Sequence, residues 1–337
     1  MRVIKYSEAR LDECAELWWS IYRDCPYVHR PDGGQTVNTD KIGPDCFGKH
    51  LRAGFGGAGY WVGEVTPDTV FLAEHEGYVV GILVCSVQHD PSVGGILSAY
   101  MHRDRQGRGI ASCLLGEALD HFRRLGLHSA MAGPHVSKSL EVECPIHLAL
   151  LDAGFAWEDI WEGPPDEDTG MFHVKEFPVY VTFLGGSLEG FGLRPEIEER
   201  IERLRGEGIT IEKCYPDQFS RLRRYGSGGP VDTMDDETQC AFVAFMDGKA
   251  VGWTFEIYTF EDEGSIMGQV GPEVIPSFRR KGIGKVVHHL GMAEAVRLGA
   301  EYGWTATGIC NPARLIYQSV GWQYWYLGFG LMSRPLR

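Results

Sequence analysis

No apolar stretch in the 337-residue sequence approaches the ~18 residues that a membrane-spanning helix requires. The first residues, Met1-Arg2-Val3-Ile4-Lys5-Tyr6, alternate like a strand and lack the apolar centre and cleavage site of a secretory signal. A cytoplasmic location is therefore expected, with no membrane partner. Paired cysteines are missing too. The nine present are odd in number and scattered, which excludes a disulfide framework or a zinc knuckle. Cys85, Cys113 and Cys240 lie in apolar stretches, where a free thiol serves as a small hydrophobe. Cys144-Pro145-Ile146-His147 comes nearest to a metal pair, but no second pair accompanies it, and no metal site is expected. Positive charge is in deficit: 32 Lys and Arg against 46 Asp and Glu give a net charge of −14. Nucleic acid needs a basic surface, so it is disfavoured as a partner. An acidic surface suits a cationic small molecule, and it equally serves solubility alone.

What is present is a globular composition, 44% hydrophobic and 23% charged, at a length suited to two domains. The chain also repeats itself. Phe71-Leu72-Ala73-Glu74-His75-Glu76-Gly77-Tyr78-Val79-Val80-Gly81 and Phe242-Val243-Ala244-Phe245-Met246-Asp247-Gly248-Lys249-Ala250-Val251-Gly252 both read as two strands about a Gly-containing turn, 171 residues apart. Gln106-Gly107-Arg108-Gly109-Ile110-Ala111 and Arg279-Arg280-Lys281-Gly282-Ile283-Gly284 stand 173 apart. The segment from Cys144-Pro145 to Gly154-Phe155 returns 167 residues later as Asn311-Pro312 to Gly321-Trp322. Three blocks in one order at nearly one offset mark a duplicated domain. The boundaries this suggests are 1–180 for the first copy, 181–208 for a linker containing a helix, and 209–337 for the second copy.

In the first copy the patterns predict a strand over 3–6, a helix over 11–22 and a long Gly-rich loop through 54–59. The hairpin, a strand over 95–101, a helix over 109–125, a strand over 129–132, a helix over 147–153 and terminal strands follow. The second copy predicts a strand from Ile209, a helix over 216–224, the hairpin and a strand over 265–274. A helix over 282–298, a strand over 302–308, a helix over 313–320 and a last strand complete it. Gly185-Gly186 to Gly192 reads as a flexible connector. Pro195–Arg205 reads as a helix with Ile197, Ile201 and Leu204 on one face, engaged in interdomain packing.

The chemistry-bearing pattern is a strand ending at Val274, then Pro276-Ser277-Phe278-Arg279-Arg280-Lys281-Gly282-Ile283-Gly284-Lys285 opening a helix. Small residues let backbone N–H groups approach a phosphate, and the helix start adds free donors and its dipole. Arg279, Arg280, Lys281 and Lys285 supply positive charge in an otherwise acidic chain. A pyrophosphate is the natural guest. The P-loop spacing and the G-x-G-x-x-G fingerprint are both absent.

With these residues in place, the chain resembles the GNAT superfamily of acyl-CoA N-acyltransferases, in tandem. Both hexapeptides, Arg279–Gly284 and Gln106–Ala111, fit that family's Q/R-x-x-G-x-G/A acyl-CoA motif, and the strand–hairpin–strand–helix order fits in both copies. The implied fold class is α/β (α+β): two GNAT-like domains, each a mixed, mostly antiparallel β-sheet flanked by helices. The resemblance implies acetyl-CoA as co-substrate. Its pantetheine would bond to backbone near Pro272 and Val274, and its pyrophosphate would lie on Arg279, Arg280, Lys281, Gly282, Ile283, Gly284 and Lys285. The same places in the first copy are Met101, Gln106, Gly107, Arg108, Gly109 and Ala111. Asn311 and Tyr317 match the family's Asn-then-Tyr helix, so Asn311 would bond the pantetheine and Tyr317 would protonate the departing thiolate. The alternative for Tyr317 is core packing before Gly321-Trp322. In the first copy Cys144 and Leu150 take those two places. That copy is thus expected to bind acyl-CoA without catalysing, or to be a structural remnant; His147, one turn away, reads first as a structural histidine and otherwise as a substitute acid.

Amine attack requires a base or a water chain to take the ammonium proton. Glu273 is the nearest carboxylate; Gln269 would order a water instead, and the Val274 N–H would stabilise the oxyanion. The expected acceptor is a primary amine of a small cationic molecule, polyamine or aminoglycoside-like. The acidic loops Asp232, Asp235, Asp236, Glu237 and Glu261, Asp262, Glu263 suggest this, with Trp253, Tyr258, Phe260 and Tyr225 nearby. A protein or peptide N-acyltransferase and a non-catalytic acyl-CoA sensor are the alternatives. The tail Trp322-Gln323-Tyr324-Trp325-Tyr326 reads as strand and core, with a dimer face as another use, which leaves a homodimer open.

Overall fold

The computed structural model describes residues 1–25, 27–31, 35–55, 63–88, 92–132, 135–137, 145–157, 179–215, 239–261, 264–308, 313–329 and 332–336. In chain order the elements are β1 (Arg2–Lys5), α1 (Leu11–Tyr22), β2 (Tyr27–His29), β3 (Gln35–Val37), α2 (Asp45–Gly54), β4 (Val70–His75), β5 (Tyr78–Gln88), β6 (Val93–Met101), α3 (Ile110–Arg124), β7 (Ser129–Ala132), β8 (His135–Ser137), α4 (Pro145–Asp152) and β9 (Ala156–Trp157). There follow β10 (Val179–Ser187), α5 (Pro195–Gly206), β11 (Ile209–Cys214), β12 (Gln239–Met246), β13 (Lys249–Glu261), β14 (Gly264–Val274), α6 (Ile283–Arg297), β15 (Tyr302–Gly308), α7 (Arg314–Ser319), β16 (Gln323–Phe329) and β17 (Met332–Pro335). No helix among the described residues is long and apolar enough to cross a membrane.

Two units emerge: residues 1–160 with 326–337, and residues 161–325. The first sheet runs β1-β4-β5-β6-β7-β17-β9. The second runs β11-β12-β13-β14-β15-β10-β16; the far half of β16, Tyr326–Gly328, falls in the first unit and pairs there with β8. Each sheet is mostly antiparallel with one parallel pair beside its middle. Both hairpins turn through two residues with positive φ, Glu76-Gly77 (53° and 87°) and Asp247-Gly248 (50° and 72°), the twist that a two-residue loop needs. Gly81 and Gly252, just beyond, leave room for the first residue of a helix. A Cβ on either would lie 2.6 Å from Ile110 Cγ2 or 2.7 Å from Ile283 Cγ2. The duplication thus extends to individual packing contacts.

The parallel pairs also correspond. Val93–Ile96 lie against Ser129–Ala132, and Ile266–Gln269 against Tyr302–Thr305, each pair keeping the 173-residue offset. Four such residue pairs are described in each unit, and in the second the pairing stops after Gln269 and Thr305 while β14 and β15 both run on. Strands β6 and β14 each carry one extra residue against the hairpin partner. In β6 it lies between Ile96 and Ser98, and in β14 between Val270 and Glu273. A bulge bends a strand and ends regular pairing; in the second unit it opens the sheet at its centre.

Three expectations need correction. Gly185-Gly186 are not a connector but part of β10, paired with Trp304 and Gly303. The glycines answer a packing demand: Cβ atoms on Gly186 and Gly303 would come within 3.2 Å and 2.5 Å of the Trp322 indole. Secondly, the repeat-based boundaries of 1–180, 181–208 and 209–337 separate strands from their sheets. β10 completes the second sheet, and β17 returns to the first, where Met332 is wholly buried. Third, α5 belongs to the second unit's own core through Ile197 and Leu204. Helix α2 also replaces part of the Gly-rich loop, its Phe47 and Leu51 one turn apart and buried. Cys113 is exposed, unlike Cys85 and Cys240. The helix expected over 216–224 lies outside the described residues.

Candidate functional site

Strands β6 and β14 each lead through a short turn into a long helix. The turns share one backbone. Gln106 and Arg279 have φ −62°, with ψ 156° and 159°. Gly107 and Arg280 take the left-handed region at φ 71° and 65°. Gly109 and Gly282 cap α3 and α6 at φ 76° and 92°. A left-handed cap turns the chain abruptly and leaves the first helical N–H groups facing outward, a setting for anions. Ile110 and Ile283 anchor the two helices in their cores at 5% and 1% exposure.

The surroundings differ. In the first unit Gly107, Arg108 and Gly109 are exposed, and a Cβ on either glycine would meet nothing within 4 Å. Met101 is buried opposite Gly81, and Ala111 is buried in the first turn of α3. In the second unit Arg279 folds back, its Nε donating to the Val274 carbonyl at 3.0 Å. Lys281 and Lys285 are ion-paired, at 2.6 Å with Glu207 and 3.0 Å with Glu196. Arg203 Nη2 donates to the Lys281 carbonyl at 2.8 Å. A Cβ on Gly282 would lie 2.3 Å from Arg200 Nη1. These four α5 residues were not singled out from sequence. Their signal is a stripe at i, i+4, i+7 and i+11 (Glu196, Arg200, Arg203, Glu207), flanking the face that carries the buried Ile197 and Leu204.

Beside the second loop, Pro272, Val274 and Gly284 converge: a Cβ on Gly284 would lie 3.5 Å from Pro272 Cγ and from Val274 Cγ2. Tyr317, on α7, is 1% exposed and stacks on Trp322 at 5.8 Å between ring centroids. The edge of His288 packs against both rings. Burial drives the His288 imidazole well below its ordinary range, so it is neutral. The Tyr317 hydroxyl donates to the carbonyl of Gly271, at the bulge. Burial pushes the phenol's pKa upward, a hydrogen bond with Thr305 opposes this, and the charge of Glu273 adds to it. Tyr317 and Glu273 therefore sit close enough to interact, and the phenol keeps its proton at neutral pH.

Other expected residues fall elsewhere. Trp253, expected at the cleft rim, is 2% exposed in a small separate core with Val243 and Phe255. Leu150, at Tyr317's place in the first unit, is wholly buried. Asn311, Cys144, Tyr225, Asp232, Asp235, Asp236, Glu237, Asp262 and Glu263 lie outside the described residues. So do the side chains of His147, Tyr258, Phe260, Glu261 and Gln269. Among the described residues no cluster of three or more His, Cys, Asp or Glu could hold a metal.

Residues 15–142 match the Acetyltransferase (GNAT) family. The match lies within the first unit. The GNAT fold then extends over the whole chain in solved structures. A tandem GNAT protein from the clavulanic acid biosynthesis pathway, solved without AcCoA, is 13% identical with a TM-score of 0.54, covering 100% of this chain and 98% of that one. A GCN5-related N-acetyltransferase from Sphaerobacter thermophilus is 14% identical with a TM-score of 0.57, covering 100% and 96%. A GCN5-related glucosamine N-acetyltransferase region of a fungal multi-domain GH3 beta-N-acetylglucosaminidase is 16% identical with a TM-score of 0.57. It covers 99% of this chain, which spans only 38% of that one. Curated proteins offer no match. At these identities the likeness is one of fold: two GNAT-like domains in tandem, each a mixed sheet flanked by helices.

Proposed function

We propose that the protein transfers an acetyl group from acetyl-CoA directly to a primary amine of a small cationic molecule. The observation that carries this reading is a bulged strand leading into a helix capped by a left-handed glycine, built twice, with the sheet opened after four parallel residue pairs in the second unit. Such a split gives a thioester-bearing arm a backbone edge to bond to, and the helix start gives its phosphates N–H donors. Gln106–Ala111 and Arg279–Lys285 are the phosphate-facing segments, with Asn311 an additional ligand in the second unit.

Transfer breaks the C–S bond and forms C–N; the ammonium gives up one proton before attack, and one reaches the sulfur as the thiolate departs, while the further proton that the acylated nitrogen loses restores the group that protonated the sulfur. Tyr317 supplies the second, since burial keeps its hydroxyl protonated. It must give up its bond to Gly271 to do so. Glu273 takes the first proton. The first unit, with Leu150 in the core, has no phenol at that place and serves as a binding module. The negative net charge favours a cationic acceptor by steering, and the protein works in the cytoplasm.

The test is CoA release from acetyl-CoA over a panel of polyamines, aminoglycosides and N-terminal peptides. Tyr317→Phe is expected to lower turnover about a hundredfold while CoA affinity changes less than about twofold. Equal turnover would remove Tyr317 from the chemistry, and transfer to peptides alone would replace the small-molecule acceptor.

A further inference from the structure

The two loops share a backbone, so what sets them apart must come from their neighbours. Among the described residues, the side chains that hold Lys281, Lys285 and the capping Gly282 come from one helix and its C-cap. Along α5 and its C-cap, Glu196, Arg200, Arg203 and Glu207 form a single stripe, while Ile197 and Leu204, about a quarter turn round the helix, fix the adjacent face in the core at 0% exposure. Every member of the stripe meets the loop or the first turn of α6. Glu196 holds Lys285 and Glu207 holds Lys281. Arg203 bonds to the Lys281 carbonyl. The Arg200 stem lies on Gly282, its Cδ 2.6 Å from where a Cβ would be.

A phosphate-bearing ligand would use these same groups: the two ammonium groups and the open face at the capping glycine. Carboxylate and phosphate oxygens pair with lysine in the same way, as charge-assisted acceptors. Glu196 and Glu207 are both held below the ordinary carboxylate range by hydrogen bonds from their lysines. They are therefore ionised at neutral pH and already pair with the lysines. Any incoming anion must displace two carboxylates and move a guanidinium. Among the described residues the first loop presents no such obstacle: Gly107, Arg108 and Gly109 are exposed, and no described residue comes within 4 Å of a Cβ on either glycine.

We propose that α5 is an internal competitor of acyl-CoA at the second loop, so that the open first loop fills at lower concentration and the second fills only as the α5 stripe releases it. This rests on the reading that both loops receive the phosphates of acyl-CoA. The arrangement is a brake rather than a permanent plug. The lysine and glutamate side chains are all partly exposed, and a partly exposed pair is worth only about a few-fold in an equilibrium constant.

Calorimetric titration of the full chain with CoA tests the proposal, with hydrogen exchange over 106–111 and 279–285 assigning each binding step to its loop. The wild type is expected to show a tight site at the first loop and a weaker one at the second. Glu196→Gln with Glu207→Gln should tighten the second site roughly fivefold to tenfold and leave the first within about twofold. Faster exchange over 279–285 in the unliganded double variant is the accompanying sign. Two equal wild-type sites, or a second site unchanged or weakened in the double variant, would overturn the competitor and leave the acyl-CoA reading standing. Failure of every variant to bind CoA at either loop would overturn the acyl-CoA reading and the competitor with it.

Discussion

The first unit exposes the turn proposed to receive phosphates and the second covers the same turn, although their backbones agree within a few degrees at Gln106 and Arg279. Geometry and availability thus have separate origins. The shape is local: a left-handed glycine, the isoleucine after it, and a hairpin glycine that lets the isoleucine sit close. The availability is remote, set by side chains of α5 some 75–90 residues earlier in the chain. The proposed acid goes with the covered turn: Tyr317 lies in the second unit, and Leu150 takes its place in the first. The unit proposed to react is the one whose turn is held by α5.

The most severe break is Met332→Asp. It places an unpaired carboxylate in the first core, where Met332 is 0% exposed, at a cost of about 3–5 kcal/mol. Thermal unfolding should show an early transition, and tight CoA binding should vanish with it. Next in size is Gly109→Glu, which puts a side chain on a φ of 76° and a negative charge at the open turn. Titration should show the tight site weakened about a hundredfold, whereas Gly282→Glu leaves that site within about twofold. Gly81→Ala and Gly252→Ala sharpen the comparison instead. Each pushes a Cβ into an isoleucine methyl at 2.6 or 2.7 Å, so denaturant titration should give similar losses of about 1–3 kcal/mol in the two variants. The mildest is Arg203→Ala, which removes one bond to the Lys281 carbonyl; CoA titration should show the second site tightened about twofold.

Much of this was legible in the residues because the signals are short-range. Asp247-Gly248 dictates its turn, Gly109 and Gly282 mark helix starts, and the 173-residue offset places the parallel pairs. What stayed hidden involves a choice of partner. Nothing in Val179–Ser187 says which sheet it joins, and Gly185-Gly186 read as loose chain because the indole they accommodate, Trp322, lies more than a hundred residues on. The α5 stripe was visible as a helix, but a helix with charges on one face is ordinarily a solvated one. Only the fold sets it against Lys281 and Lys285. Tyr317 was identifiable as a residue type in place. Its burial, and its bond to the bulge carbonyl at Gly271, depend on Trp322 and on β14.

The return of β17 to the first sheet has a bearing on how the molecule is made. A ribosome delivers residues in order, and the strand between β7 and β9 leaves it after the whole second unit. Until then the first unit waits with β7 and β9 unbridged and Met332's place in its core unfilled. The half translated first is therefore completed last, and a nascent chain stalled within β16 would present an open sheet edge to chaperones.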